Sequence, residues 1–253
     1  MIGSRPARGN AGVRPAGRVW LFDLDNTLHD ASHASFAAIS AAMTRYIVEH
    51  TGLDDASATA LRQQYWKRYG ATLLGMIRHH QVRAVHFLEH THLLPGLEER
   101  LRTSAHDRAA LERLPGRKYV LTNAPRAYAL RVLDALGLAA CFDGVLAIED
   151  MAMFGELRPK PDRRMLRRIA ARLRVPPARC VLVEDTLEHQ KAARGLGMRT
   201  VWMRRYLGGR FRGTVSNGTN SGALQTEVGV HHCPKPLYVC AKIRSLQELA
   251  RSR

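Results

Sequence analysis

Five short apolar runs, Val19–Phe22 and residues 119–121, 145–148, 181–183 and 200–203, alternate with segments of helical periodicity such as 126–136 and 187–196. Runs this short read as buried strands, and strands alternating with helices imply a parallel α/β sheet. In such sheets ligands gather beyond the carboxyl ends of the strands, so the residues just after each run carry the functional information. They are polar: Asp23 and Asp25 follow the first run, Thr122 the second, Glu184 and Asp185 the fourth.

Residues two apart in an extended chain face the same side, so Asp23 and Asp25 can converge on one substrate atom, with Thr27 a further step along. One carboxylate can attack while the other moves a proton. An Asp-x-Asp-x-Thr segment is also a good turn, because these side chains bond nearby backbone groups. The rest of the chain decides between the two readings, since three more polar signals follow in order: Thr122 after Lys118-Tyr119-Val120-Leu121, Lys160 within Leu157-Arg158-Pro159-Lys160-Pro161-Asp162, and Glu184-Asp185 after Val181-Leu182-Val183.

This ordered set resembles the haloacid dehalogenase-like superfamily of hydrolases, over roughly residues 18–206 and a closing segment near 237–250. The resemblance implies a Rossmann-like α/β core, its parallel central sheet flanked by helices, with an inserted α-helical cap. It also implies Mg²⁺ held by the Asp23 carboxylate, the Asp25 backbone carbonyl and the Asp185 carboxylate. Asp23 would attack phosphorus to form an aspartyl phosphate, and Asp25 would act as acid and then base. Thr122 and the Asn123 amide would bind phosphate oxygens, while Lys160 would balance charge on Asp23 and the transferring group. Two positions depart from the family pattern: Glu184 stands where Asp is common, which suggests an outer role around the metal, and His189 stands where Asn is frequent and reads as a solvent-facing helix residue.

More than ninety residues separate the first two motifs, too many for a loop and rich in helix formers, so a helical cap is expected over 31–105. The core then comprises 18–30 and 106–253. Helical spacing covers 35–48 and 56–69, and continues past Gly70 over 71–89. Within this stretch, Tyr65-Trp66-Lys67-Arg68-Tyr69-Gly70-Ala71-Thr72-Leu73 with His79-His80, together with Leu24 through Ser32, resembles the pyrimidine 5′-nucleotidase branch, which hydrolyses nucleoside monophosphates such as UMP and CMP. Tyr69, His79 and His80 are the candidate substrate contacts, against the alternative that the aromatic stripe packs the cap together.

The formal net charge of +17 lies partly in a Gly/Pro/Arg leader, 1–17, that reads as disordered, and partly on 162–173. There Arg163, Arg164, Arg167, Arg168 and Arg172 surround an apolar stripe of Met165, Leu166, Ile169 and Leu173. A solvated basic face accounts for this; steering of phosphorylated substrates or weak RNA binding is the alternative. A tract poor in apolar residues, within 204–236 and centred on about 208–236, reads as a mobile insertion. A strand over 237–241 and a helix over 245–250 follow, the helix capped by Ser245.

No apolar run approaches the ~18 residues that span a bilayer. Cys141, Cys180, Cys233 and Cys240 lack paired metal-ligand spacing, so a reducing, cytoplasmic setting is expected, and His231-His232-Cys233 is too small a donor set for a structural metal site. Three functions remain: a nucleoside monophosphate phosphatase, a phosphatase for another small phosphorylated metabolite, and a retired enzyme fold that binds nucleic acid. Asp25 weighs against a dehalogenase, whose halide leaves without a proton, and intact motifs weigh against the third.

Overall fold

The structure is a computed structural model and describes residues 17–102, 104–207 and 235–251. The chain runs β1 (Val19–Phe22), α1 (Ala31–Ala34), α2 (Phe36–Thr51), α3 (Asp55–Tyr69), α4 (Thr72–His80), α5 (Ala84–His92), α6 (Leu97–Arg100), α7 (Ala105–Arg113), β2 (Arg117–Leu121), α8 (Arg126–Ala135), β3 (Gly144–Leu146), a small hairpin β4 (Ala152–Met153) and β5 (Glu156–Leu157), α9 (Arg163–Arg172), β6 (Cys180–Glu184), α10 (Leu187–Arg194), β7 (Arg199–Met203) and β8 (Ala241–Ile243). A 3₁₀ turn over Leu246–Arg251 follows.

Six strands form one parallel sheet in the order β3-β2-β1-β6-β7-β8, with Phe22 paired to Val120 on one side and Val183 on the other. β1 and β6 are buried throughout, as expected for strands covered on both faces. Alternate residues of β1 serve opposite layers. Trp20 and Phe22 pack with Tyr128, Val132, Leu111 and Leu114, whereas Val19 and Leu21 pack with Met165, Leu166 and Ile169. Burying a side chain such as Phe22 or Leu21 contributes roughly 1.5–3 kcal/mol.

The insertion between β1 and β2 is helical and has a small core of its own, in which Tyr46, Ile47, Tyr65, Leu73, Met76, Phe87 and Leu88 meet Ile148 from the α/β layer. Its helices differ from the expected pattern in two places. The continuous helix over 71–89 is two helices, because Gln81 takes a left-handed conformation (φ 54°) and ends α4. Nor does a helix pass through Gly70, whose φ of 79° stops α3 and lets its N–H bond Trp66 O at 2.9 Å. Gly75 allows α4 to close on α3, since a Cβ there would stand 2.2 Å from Tyr65 Cγ.

The C-terminal strand is also displaced from the expected 237–241. Residues 236–239 make a turn, with Val239 N–H donating to Pro236 O at 2.9 Å, and the chain joins β7 only at Cys240, whose N–H donates to Thr200 O at 3.0 Å. Ahead of the insertion expected at about 208–236, the Arg204 guanidinium lies 4.8 Å over Trp202, and Arg205 clamps the buried Asp107 of α7 with two hydrogen bonds. The leader apart from Gly17, and 208–234 with His231, His232 and Cys233, lie outside the described residues. The five arginines of α9 are exposed while Met165, Leu166, Ile169 and Ala170 are buried, which is the solvated basic face. Among the described residues no helix is long and apolar enough to cross a membrane, and Cys141, Cys180 and Cys240 are free thiols.

Candidate active site

Strand order reverses direction beside β1, which lies between β2 and β6, and the crevice at such a reversal is where open α/β sheets bind ligands. Asp23, Thr122 and Asp185 each follow the last residue of one of these three strands. The ladder runs one residue past the strands: Asp23 N–H donates to Val183 O at 2.9 Å, and Thr122 N–H to Leu146 O at 3.0 Å. The backbone beneath both side chains is thereby fixed. After Asp23 the chain makes a tight turn through Asn26 at φ 57°, a conformation Asn tolerates, and the Asn26 side chain is anchored by Ser32 N–H at 3.0 Å.

Lys160 is brought from the loop before α9 into the middle of the acids. Its side chain is 2% exposed, and Nζ donates to Asp23 Oδ1 at 2.6 Å and to Glu184 Oε2 at 2.8 Å. The Asn123 side chain grips the Lys160 backbone in both directions, donating to its carbonyl at 3.0 Å and accepting from its N–H at 2.9 Å. Asn123 thus delivers the lysine, in addition to presenting its own amide beside Thr122. Glu184 lies among the acids, as oxygens of Asp23, Glu184 and Asp185 lie within 4.8 Å of one another, all buried. His189, expected to face solvent, instead turns inward, with Nδ1 3.0 Å from Glu184 Oε2. The loop is steadied by Trp202, which donates to Asp185 O at 2.9 Å, and by Gln190, which donates to Glu184 O at 2.7 Å.

These contacts set the charge states. Burial, reinforced by the charge of Glu184, pushes Asp23 up to about 8 against the opposing pull of Lys160. Burial works against the ammonium of Lys160 too, but the adjacent Asp23 and Glu184 carboxylates overcome it and hold the amine above its ordinary value. Glu184, likewise opposed by burial, is held far below the usual carboxylate range by Lys160 and His189. Fully ionised, the three carboxylates would outweigh the one ammonium by two charges, and burial opposes that ionisation at Asp23; the donors are all carboxylate oxygens. A hard divalent cation matches both the charge and the donor type.

Asp25 stands apart from this cluster. His29 Nε2, at 3.0 Å, and the Tyr128 hydroxyl, at 2.8 Å, both donate to its Oδ1. Burial alone would raise its pKa; these two hydrogen bonds and the His29 charge prevail and keep the carboxyl below its ordinary value. Neither His29 nor Tyr128 belongs to the four sequence motifs. The first sits four residues from its partner and the second over a hundred, with no local pattern to mark it. Tyr69, His79 and His80 do pair, but with aromatic partners in the cap: Tyr69 OH lies 2.6 Å from His79 Nε2, and Tyr65 OH lies 2.9 Å from His80 Nε2. Their hydrogen bonds and ring contacts run to Tyr65, Arg68, Arg78 and one another, not to the acidic cluster.

A family model for haloacid dehalogenase-like hydrolases matches residues 18–197, spanning Asp23, Asp25, Thr122, Lys160, Glu184 and Asp185. The chain belongs to that family. Among curated proteins, phosphate metabolism protein 8 of Saccharomyces cerevisiae is 29% identical over 160 residues, 58% of this chain and 49% of the yeast protein. The chain therefore spans about half the length of this hydrolase's yeast relative. Among solved structures, a HAD phosphatase from Thermococcus onnurineus superposes with a TM-score of 0.56 at 20% identity, covering 92% of this chain and 96% of its own. The HAD-hydrolase YfnB from Bacillus subtilis, bound to magnesium, does so with a TM-score of 0.53 at 18% identity, covering 93% and 98%. At these identities the structural neighbours establish the shared fold of the hydrolase family.

Proposed function

We propose that this hydrolase is a Mg²⁺-dependent phosphomonoesterase of small phosphorylated metabolites, with pyrimidine nucleoside 5′-monophosphates such as UMP and CMP as preferred substrates, and that it works through an aspartyl phosphate on Asp23. The observation that carries this reading is the buried Lys160 ammonium, bonded both to the first acid after β1 and to Glu184 at the end of β6, with Asp185 beside them. The phosphate-metabolism name of the yeast relative and the phosphatase from Thermococcus onnurineus support a phosphate ester as substrate.

The Asp23 and Asp185 carboxylates and the Asp25 main-chain carbonyl would hold Mg²⁺, with Glu184 adjacent. The ion supplies charge neutralisation, drawing a phosphate dianion toward carboxylates that otherwise repel it. Asp23 attacks phosphorus and the ester oxygen leaves with a proton from Asp25. Asp25 is held in a form that favours the carboxylate, which suits the later step in which it takes a proton from attacking water. For the first step it must carry a proton, and the arriving phosphate dianion, a like charge, favours that protonation. Thr122 is arranged as a donor: its oxygen already accepts from Ala124 N–H at 3.0 Å, leaving its proton for a phosphate oxygen alongside the Asn123 amide. Lys160 holds Asp23 in place and offsets the charge of the transferring group.

The cap, taken as 31–105, closes the crevice and selects the leaving group. The preference for pyrimidine nucleotides rests on the cap sequence around Tyr69, His79 and His80. A panel of phosphomonoesters assayed for released phosphate with and without Mg²⁺ tests the whole reading. Magnesium-dependent turnover led by UMP or CMP supports it; turnover led by another metabolite replaces the substrate but keeps the reaction. No turnover, with tight salt-sensitive RNA binding, replaces both.

A further inference from the structure

Tyr128 lies in the first turns of α8, five residues beyond Asn123, and is 1% exposed. A buried aromatic side chain at this place needs no hydroxyl to fill the core beside Phe22 and Val132. Yet the hydroxyl is aimed at Asp25 Oδ1, 2.8 Å away, and lies 2.9 Å from Ser35 Oγ. A carboxylate can only accept, so the single phenolic proton points to Asp25, and the Ser35 hydroxyl shares its one proton between the phenol oxygen and Ala31 O at 3.3 Å. Hydrogen bonds chained in this way reinforce one another in a buried site.

The partners of Tyr128 come from both places where the helical insertion joins the α/β core. Ser35 lies between α1 and α2, on the outgoing connection. His92 is the last residue of α5, just before the return, and its ring stands edge-on to Tyr128 with centroids 5.7 Å apart. His29 and Tyr128 both take Oδ1 of Asp25, so Oδ2 is the oxygen left to handle a proton.

We propose that Tyr128 is a positioning residue: it fixes the Asp25 carboxylate for proton transfer and couples that position to the two chain connections of the cap. This rests on the phosphomonoesterase reading, in which Asp25 protonates the departing oxygen. An alkoxide needs that proton to leave; a nitrophenolate does not. Misplacing Asp25 therefore slows alkyl esters selectively, whereas general damage to the site slows both.

The test compares kcat/KM, which ends at departure of the alcohol, for the best alkyl monoester of the panel and for p-nitrophenyl phosphate. Tyr128→Phe keeps the ring and removes the hydroxyl. It should lower the alkyl value about 100-fold, at the lower end of what general acid catalysis supplies, and the aryl value by no more than about 2-fold. Ser35→Ala keeps the bond to Asp25 but cuts the link to the cap connection, and should lower the alkyl value about 5-fold with the aryl value unchanged. Equal losses on both esters in Tyr128→Phe, or no loss on either, would overturn the positioning role while leaving the phosphatase reading intact. Should Tyr128→Phe fail to fold, an unchanged alkyl-to-aryl ratio in Ser35→Ala does the same. A wild-type protein inactive on every ester overturns the reading underneath.

Discussion

The crevice at the ends of β1, β2 and β6 and the α3–α4 hairpin of the cap are built from the same kinds of polar and aromatic side chains but held in opposite ways. In the crevice, groups from four separated chain segments are buried and bound to one another, so that Lys160 answers to Asp23, Glu184 and Asn123 at once. On the cap, Tyr69 and His79 are neighbours in one helical hairpin, with His79 exposed, and their bond is local. The difference teaches where each kind of information resides. Reaction chemistry is written into the backbone at strand ends, where the sheet leaves little freedom. Under the proposed function, substrate choice falls to cap side chains that are held only by local contacts.

The largest effect expected from this contrast is at Asp23. Asp23→Asn should lower phosphomonoesterase activity by at least ~10⁴-fold with an unchanged far-UV circular dichroism spectrum, because an amide cannot form the acyl phosphate. Activity near that of wild type would show that the nucleophile lies elsewhere. Lys160→Met should cost activity by about 10²–10³-fold through loss of charge compensation. It should also lower unfolding stability by about 3 kcal/mol, since it strands two buried carboxylates. Denaturant titration checks the second figure, and a loss below about 1 kcal/mol, the range of an exposed pair, would mean that the lysine is not buried among the acids.

Smaller effects sharpen the same contrast. Asp185→Ala should leave maximal turnover within reach but raise the Mg²⁺ concentration for half-maximal activity by about 10–100-fold, read from a metal titration. Tyr69→Ala should reduce kcat/KM for UMP about 10-fold and that for p-nitrophenyl phosphate by less than about 2-fold. Equal losses on the two esters would remove Tyr69 from substrate selection.

A last effect is on stability alone and leaves activity near neutral pH unchanged. Burial holds His92 down at about 4 despite the pull of Asp25. The folded state therefore binds its proton less readily than the unfolded chain, so stability is full above about pH 6.5 and falls as pH drops toward 4. His92→Gln should remove a slope amounting to about 3 kcal/mol across that window. Thermal unfolding as a function of pH measures it, and an identical slope in the variant would assign it to other groups.

Much of the α/β core could be read from the chain because a strand buried on both faces must be apolar throughout, as β1 and β6 are. β8 escaped because its residues, Ala241, Lys242 and Ile243, belong to a half-exposed edge, while the more apolar stretch before them forms a turn. The break between α4 and α5 escaped for another reason. Gln81 adopts a left-handed conformation that no property of glutamine announces, whereas the stop at Gly70 follows from glycine itself. In the site, Asp23, Asp25, Thr122, Lys160 and Asp185 stand at strand ends or in a short motif, and order alone marks them. The position of Tyr128 against Asp25 exists only once distant segments are packed, as does the grip of Asn123 on Lys160 across 37 residues, whereas His29 and His189 lie four and five residues from their partners but belong to no pattern that announces the contact.

The central claim is that Asp23 carries the phosphoryl group between substrate and water. It can be tested by mixing enzyme with Mg²⁺ and a good substrate, quenching during turnover, and reducing the denatured protein with borohydride, which converts an acyl phosphate to an alcohol. Peptide mass spectrometry should find homoserine at position 23 in the complete reaction, and unmodified aspartate there when substrate or Mg²⁺ is left out. Homoserine at another acid, or intact Asp23 in samples quenched during rapid turnover, would contradict the account.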